Sequence, residues 1–184
     1  MEERNLFDRW ANDYDDFIRK RHEESYKEVE YLLEKLDWRR NVLDIGAGTG
    51  RITNYIIKLG ADVTALDFST KMLHKNPSKQ KICADAHFLP FHENTFDITF
   101  AENTLRYIQK WRKVIEEMVR VAKESVVIVE TKPPKAEKIE LPNRIRKIAS
   151  LITRIAVKEI TNELPDSQII QTKLVDIVIA SKVP

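Results

Sequence analysis

Three glycines interrupt a short apolar run early in the chain. Gly46, Gly48 and Gly50 lie within five positions, although the whole sequence of 184 residues contains only four glycines. Because glycine allows a sharp turn and lets a ligand touch the bare backbone, we expect this loop to hold a cofactor. A nicotinamide fingerprint would read G-x-G-x-x-G, but Arg51 stands where its third glycine belongs. The loop therefore fits a dinucleotide site poorly.

Three aspartates accompany this loop, each at or near the end of a short apolar run. Asp44 precedes the first glycine, Asp67 ends "VTALD", and Asp85 ends "ICAD". A carboxylate so close to the loop favours a cationic ligand over a pyrophosphate. Asp67, 21 residues after Gly46, can accept two hydrogen bonds from a ribose diol, and Asp85 can accept one from an adenine amine. An adenosine attached to a cationic amino acid fits this set, with Phe68 against the purine ring.

The apolar runs alternate between strand-like and helix-like spacing. Short runs rich in β-branched residues predict strands over 41–45, 61–67, 81–85, 96–101 and 125–131. The segment "DSQIIQTKLVDIVIASK" predicts two further strands that pair antiparallel. The alternation predicts an α/β fold, a single doubly wound Rossmann-like sheet of seven strands that is mostly parallel with a C-terminal antiparallel pair. Its ligand crevice should lie beyond the carboxyl ends of the strands.

We expect one domain over residues 1–184, because a chain of this length with 42% hydrophobic residues can form one substantial core. It divides into an N-terminal helical cap at 1–40, a cofactor-binding core at 41–131, a basic amphipathic helical insert at 132–163 and a strand pair at 164–184. The helix predicted at 142–160 has isoleucines on one face and basic residues mostly elsewhere. It could pack on the core, cover a substrate or contact RNA, and the pattern leaves these open.

Composition excludes several classes of protein. There is no apolar run of about 18 residues and the N-terminus is charged, so we expect a cytoplasmic protein without stable membrane insertion. The single cysteine, Cys83, excludes an internal disulfide and is expected to be a small buried hydrophobe. The four histidines lack the i, i+4 spacing of a metal site, so no metal is expected. A net charge of +2 does not by itself indicate nucleic acid.

Together these motifs resemble the class I S-adenosylmethionine-dependent methyltransferases, in the small-molecule group that includes enzymes of ubiquinone and menaquinone biosynthesis. The resemblance spans about residues 7–131, through "LDIGAGTG", "VTALDFSTKML", "ADAHFLPFHENTFD" and "FDITFAENTLRYI". It implies S-adenosyl-L-methionine as the cofactor and in-line methyl transfer as the reaction.

The resemblance also implies a role for each matching residue. Asp44 would lie near the methionine part, Asp67 at the ribose and Asp85 at the adenine. Glu102 would line the methionine end, and Tyr14 of the leader "FDRWANDYDDF" would close over the cofactor. The full cofactor-binding set is then Asp44, Gly46, Ala47, Gly48, Gly50, Asp67, Phe68, Asp85, Ala86, Glu102 and Tyr14.

The sequence leaves the base and the acceptor open. Many relatives have a histidine after the fourth strand, where this chain has Arg106 and Tyr107, so the candidates for a base are Glu102, Tyr107 and His87. A small-molecule acceptor is predicted, because "AENTLRYI" lacks the N/D-P-P-Y segment of enzymes that methylate DNA or glutamine amino groups. One alternative is an RNA (tRNA) methyltransferase that uses the basic N-terminal and insert segments. Another is a non-catalytic subunit that binds the cofactor and activates a second methyltransferase. The oligomeric state is not predicted.

Overall fold

The structure, a computed structural model, describes residues 2–132, 160, 162–164, 167–172 and 174–181. Its strands are β1 (Asn41–Ile45), β2 (Asp62–Asp67), β3 (Gln80–Cys83), β4 (Phe96–Glu102), β5 (Ala122–Thr131), β6 (Gln168–Gln171) and β7 (Val175–Ser181). Its helices are α1 (Glu2–Trp10), α2 (Tyr14–Leu33), α3 (Arg51–Lys58), α4 (Thr70–Lys75) and α5 (Trp111–Val121), with a 3-10 turn at Leu105–Tyr107.

The strands form one sheet in the order β3-β2-β1-β4-β5-β7-β6. Strands β1 to β5 run parallel, and β7 pairs antiparallel with both β5 and β6. The predicted seven-stranded, mostly parallel α/β sheet is therefore confirmed. The chain moves outward from β1 through β2 to β3 and then restarts at β4 on the other side of β1. This reversal opens a crevice at the carboxyl ends of β1 and β4, where ligands bind in doubly wound sheets.

Local sequence accounts for the elements around that crevice. In β1, the side chains of Val42, Leu43 and Ile45 are fully buried, as a central parallel strand with both faces covered requires. Helix α4 begins after Ser69, whose Oγ accepts a hydrogen bond from the backbone N–H of Met72 at 3.1 Å. The buried strand β1 and the capped start of α4 thus fix two of the elements that border the crevice.

The two faces of the sheet have separate cores. Helix α5 places Val114, Met118 and Val121 against one face, where all three are fully buried. Helices α2 and α3 cover the other face, with Val29 and Ile56 also fully buried. With both faces covered, the carboxyl edge of the sheet is the part that is left open for a ligand.

Three details differ from the sequence predictions. Strand β3 is Gln80–Cys83 where 81–85 was predicted, so Asp85 lies in the loop that follows the strand. Strand β5 begins at Ala122, three residues before the predicted 125, because Ala122 pairs with Phe96 across a register shift. The expectation that Cys83 is buried is wrong. Strand β3 is the edge strand, so its outer side has no neighbouring strand to cover it.

The predicted insert at 132–163 lies mostly outside the described residues, and so does nearly all of the helix at 142–160. The division of the chain into cap, core, insert and strand pair stays a prediction. Within the part of the chain that the structure describes, no helix has the length and apolar character needed to cross a bilayer.

Candidate functional site

A cavity of about 280 Å³ opens at the carboxyl edge of the sheet, where the strand order reverses. All eleven residues of the predicted cofactor-binding set line it, from Tyr14 in the cap to Glu102 at the end of β4. Of the proposed bases, Tyr107 and His87 line it as well. The fold therefore brings together, in one concave site, side chains that are spread over most of the first 107 residues.

The glycine loop between β1 and α3 forms the floor of this cavity. Gly46 and Gly48 have φ of +70° and +53°, in the left-handed region that favours glycine. A Cβ atom at Gly46 would lie 2.2 Å from Oγ1 of Thr104, so that glycine is needed for internal packing. A Cβ at Gly48 would meet no atom closer than the Gly46 carbonyl oxygen at 3.9 Å. At Gly48 the backbone is thus open to a ligand.

Asp67 joins this loop to the end of β2. One carboxylate oxygen, Oδ2, accepts from the N–H of Gly48 at 2.8 Å, and Oδ1 accepts from the N–H of Ser69 at 2.7 Å. Burial raises the pKa of Asp67, whereas these backbone hydrogen bonds act in the opposite direction. Because each carboxylate oxygen can accept a second hydrogen bond, the group is positioned to receive two hydroxyls of a diol.

Two more carboxyl groups lie deeper in the cavity. Asp44 is 3% exposed, and its Oδ2 accepts a 2.5 Å hydrogen bond from Oγ1 of Thr53. Burial raises the pKa of Asp44 to about 7. At Glu102, burial and the neighbouring Glu130 carboxylate raise the pKa to about 8, against an opposing effect of Arg106. Both groups would be stabilised in their charged form by a cationic ligand, which is the type of ligand that their positions suggest.

Asp85 and His87, in the loop after β3, also line the cavity. Oδ1 of Asp85 accepts from the backbone N–H of His87 at 2.9 Å and lies 2.6 Å from its Nδ1. The other ring nitrogen, Nε2, lies 2.6 Å from the carbonyl oxygen of Gln109. Since both ring nitrogens are engaged, the His87 ring positions Asp85 and is not free to take a proton from an acceptor. Phe68, which is 39% exposed, also lines the cavity.

Aromatic side chains of the cap form the roof. Phe7 of α1 and Tyr14 of α2 line the cavity, and Phe7 packs edge-on against Tyr107 with ring centroids 5.6 Å apart. Trp10 is 4% exposed and packs edge-on against Tyr14 at 4.9 Å. Burial raises the pKa of Tyr14 well above its usual value and that of Tyr107 to about 12. Both phenols therefore stay protonated near neutral pH and can donate hydrogen bonds.

Three hydrogen bonds tie the cap to the loops of the site. Oδ1 of Asp8 accepts from Oγ of Ser69 at 2.5 Å and from the N–H of Lys71 at 3.2 Å. Oδ1 of Asp15 accepts from Oγ1 of Thr49 at 2.5 Å. Sequence reasoning missed these pairs, and the only signal was the density of aspartates in the aromatic leader. They hold the cap against both the glycine loop and the start of α4.

Arg106 does not face a ligand in this arrangement. Its Nε donates to Oε2 of Glu130 and its Nη2 donates to the carbonyl oxygen of Thr131, both at 2.5 Å. The side chains of Arg106 and Glu130 are 16% and 9% exposed, so this ion pair is largely internal. Arg106 thus holds the turn after β4 against the end of β5, and this turn places Tyr107 in the cavity.

Comparison with known proteins identifies what this site resembles. Residues 43–129 match a family model described as a methyltransferase domain. The chain is 36% identical over 104 residues to malonyl-[acyl-carrier protein] O-methyltransferase of Buchnera aphidicola, which covers 53% of this chain and 42% of that protein. It is 41% identical over 88 residues to demethylmenaquinone methyltransferase of Paenarthrobacter aurescens, covering 46% of this chain and 35% of that protein. The chain thus spans less than half the length of these curated relatives.

Solved structures agree on the fold. The crystal structure of a SAM-dependent methyltransferase from Aquifex aeolicus superposes with a TM-score of 0.62 at 22% sequence identity, covering 84% of this chain and 89% of that one. At this identity the likeness concerns the fold alone.

Proposed function

Because residues 43–129 match a methyltransferase domain and the fold is that of a solved S-adenosylmethionine-dependent methyltransferase, we propose that the protein is a class I, S-adenosylmethionine-dependent enzyme that methylates a small-molecule acceptor. One observation supports the cofactor on which the proposal depends: Asp44, Asp67 and Asp85 line the same cavity as the glycine loop. The relatives are named for malonyl-[acyl-carrier protein] and demethylmenaquinone, which supports an acceptor that is neither DNA nor RNA.

The residues present fit S-adenosylmethionine. The open backbone at Gly48 would lie against the cofactor, and Asp67 would accept the ribose hydroxyls. Asp85, held by His87, would accept from the adenine amine. The deep carboxyl groups of Asp44 and Glu102 would face the positive charges of the methionine part. The ribose hydroxyls, the adenine amine and the positive charges of the cofactor thus each have an acidic partner.

The cavity is built to orient reactants. When bound, S-adenosylmethionine would supply a methyl carbon on a positively charged sulfur, which a nucleophile can attack in line with the carbon–sulfur bond. The chain then has to hold the acceptor beside the cofactor and exclude water. The aromatic roof of Phe7, Tyr14 and Tyr107 does both, because it places rings and protonated phenols over the cavity.

The site also bears on the kind of acceptor. His87 is engaged at both nitrogens, and Tyr107 has a pKa of about 12. Glu102 becomes a carboxylate when a cation binds, but the bound cation stabilises that charge and so lowers the basicity of the carboxylate. None of the three candidate bases is therefore ready to deprotonate an acceptor. We propose an acceptor that brings its own acidic nucleophile, such as a carboxylate, an enol or a phenol.

Calorimetry tests the cofactor part of this proposal. The protein should bind S-adenosylmethionine and S-adenosylhomocysteine at micromolar to low millimolar concentration and should not bind NAD. Asp67→Ala, shown to be folded by circular dichroism, is the matched control with weakened binding. Binding of NAD in preference to both adenosyl ligands would refute the proposal.

A labelled-methyl screen tests the acceptor part. The protein is incubated with methyl-labelled S-adenosylmethionine and separate pools of small organic acids, phenols, acyl carrier protein conjugates and tRNA. Label should appear in an acidic small molecule or an acyl conjugate. Label in tRNA alone would favour the RNA alternative, and label in no pool unless a second methyltransferase is added would favour the activator alternative.

A further inference from the structure

The cavity is rich in acidic groups and poor in basic ones. Among the described residues that line it, Asp44, Asp67, Asp85 and Glu102 are acidic, and Arg51 is the one arginine or lysine. Arg51 is the first residue of α3, directly after the glycine loop. In the sequence it stood out only as the residue that replaces a dinucleotide-binding glycine. A single basic side chain among acidic ones is suited to bind an anionic group of a ligand.

The side chain of Arg51 is held in place by an aromatic ring. Its guanidinium carbon lies 3.8 Å from the centroid of the Tyr26 ring, and Tyr26 is 3% exposed within α2. A guanidinium stacked on a ring keeps its N–H groups in its own plane, where they point away from the ring. Stacking therefore fixes the orientation of Arg51 and leaves its hydrogen-bond donors available.

No acidic partner uses those donors. Within the described part of the chain, Arg51 forms no ion pair and its guanidinium donates no hydrogen bond. Asp8 and Asp15 of the cap are occupied by Ser69 and Thr49. Glu23 of α2 lies near enough to act electrostatically on Arg51, but its carboxylate is paired with Lys27. A fork of N–H donors at the wall of a cavity is suited to a planar carboxylate, which it can bind through two parallel hydrogen bonds.

We propose that Arg51, positioned by Tyr26, binds the α-carboxylate of the methionine part of the cofactor. This inference rests on the proposed function. The α-carboxylate is the single anionic group of S-adenosylmethionine, and Arg51 is the one arginine or lysine among the described lining residues. The remaining charges of the ligand are positive and match the acidic groups. The start of α3, whose N-cap Gly50 supplies no capping side chain, adds partial positive charge on the same side.

The assignment makes Arg51 a determinant of ligand specificity. Ligands that carry the amino-acid carboxylate should be favoured over 5′-methylthioadenosine, which keeps the adenine and ribose but lacks the amino acid. Because Tyr26 belongs to α2, the same contact would couple recognition of the carboxylate to the position of the cap.

The experiment compares two ligands by calorimetry on the intact protein. Wild type, Arg51→Met and Arg51→Lys are titrated with S-adenosylhomocysteine and with 5′-methylthioadenosine. Arg19→Met is the control, since Arg19 is an exposed arginine of α2 that lies outside the cavity. Arg51→Met should weaken S-adenosylhomocysteine binding by about 10- to 100-fold and 5′-methylthioadenosine binding by less than about twofold. Arg51→Lys should lie between, because lysine keeps the charge but not the planar fork.

Equal losses for the two ligands in both Arg51 variants would overturn the assignment, because Arg51 would then act only on the shape of the loop. Unchanged binding of S-adenosylhomocysteine would overturn it as well. Failure of the wild type to bind either adenosyl ligand would instead refute the proposed function, so the two failures are distinguishable.

Discussion

Glu102 should release a proton when a cationic cofactor binds. In the free protein its pKa is about 8, because burial and the Glu130 carboxylate disfavour its charged form. At pH 7 most molecules therefore carry a neutral carboxyl group at this position. A positive charge in the cavity stabilises the carboxylate and lowers the pKa, so the proton leaves as the ligand enters. Asp44, with a pKa of about 7, should contribute in the same direction.

The size of the effect follows from the pKa. If the bound ligand lowers the pKa of Glu102 from about 8 to about 5, this group alone should raise the affinity by at most about 80-fold between pH 6 and pH 9, with most of the rise below pH 8. Glu102 keeps some exposure to solvent, so the measured gain should fall below this ceiling. Glu102→Gln is neutral at every pH, and its binding should depend on pH only through Asp44, between about pH 6 and pH 7.

Calorimetry in buffers of different ionisation enthalpy measures the released protons directly. In phosphate and in Tris at pH 7, wild type should release roughly 0.5 to 1.5 protons per S-adenosylmethionine, and Glu102→Gln about one fewer at most. Glu116→Gln is the matched control, since Glu116 is 64% exposed on α5 and outside the cavity. Affinity that stays constant from pH 6 to pH 9, or an identical proton count in wild type and Glu102→Gln, would refute this reasoning.

Three further predictions concern the floor of the cavity. Asp67→Ala should weaken S-adenosylhomocysteine binding by about 2 to 4 kcal/mol, because two ribose hydroxyls lose a charged acceptor; calorimetry on the folded variant that finds no loss would remove Asp67 from the site. Gly46→Ala should lower the free energy of unfolding by about 3 kcal/mol or more, since its Cβ would lie 2.2 Å from Oγ1 of Thr104. Gly48→Ala, where the Cβ has room, should cost only about 1 to 2 kcal/mol of backbone strain, and equal losses in urea denaturation would contradict the assignment. Asp44→Asn should be more stable than wild type at pH 8 by about 2 to 4 kcal/mol. The sign follows because a carboxyl whose pKa is raised on folding destabilises the native state as pH climbs from about 4 to about 7; an advantage that is as large at pH 5 as at pH 8 would argue against a buried charge.

The core of the site could be predicted because each of its parts has a local signal. Glycines in a strand-to-helix turn need no tertiary information to be recognised. Asp67 and Asp85 each follow a short apolar run, and the geometry of parallel sheets brings the ends of such runs to one edge. The same patterns predicted the seven-stranded sheet, including its antiparallel C-terminal pair.

The contacts that assemble the roof had no such signal. Asp8 and Ser69 are 61 positions apart, and Asp15 and Thr49 are 34 apart, so neither pair follows from a helical or strand period. The burial of Cys83 was predicted wrongly because its strand pattern does not reveal that β3 lies at the edge. The pKa of Glu102 depends on Glu130, which reaches it only through the pairing of β4 with β5. These features depend on how distant segments meet.

The attachment of the cap has a kinetic consequence for ligand exchange. The roof of the cavity, which is one of its walls, belongs to the cap and is held by the hydrogen bonds of Asp8 and Asp15 and by the aromatic contacts of Trp10. With each such hydrogen bond contributing about 1 kcal/mol net, this wall opens far more easily than the sheet unfolds. Movement of the cap should therefore affect both the entry and the departure of a ligand that fills the cavity. The residence times of substrate and product should lengthen or shorten together when the cap is altered.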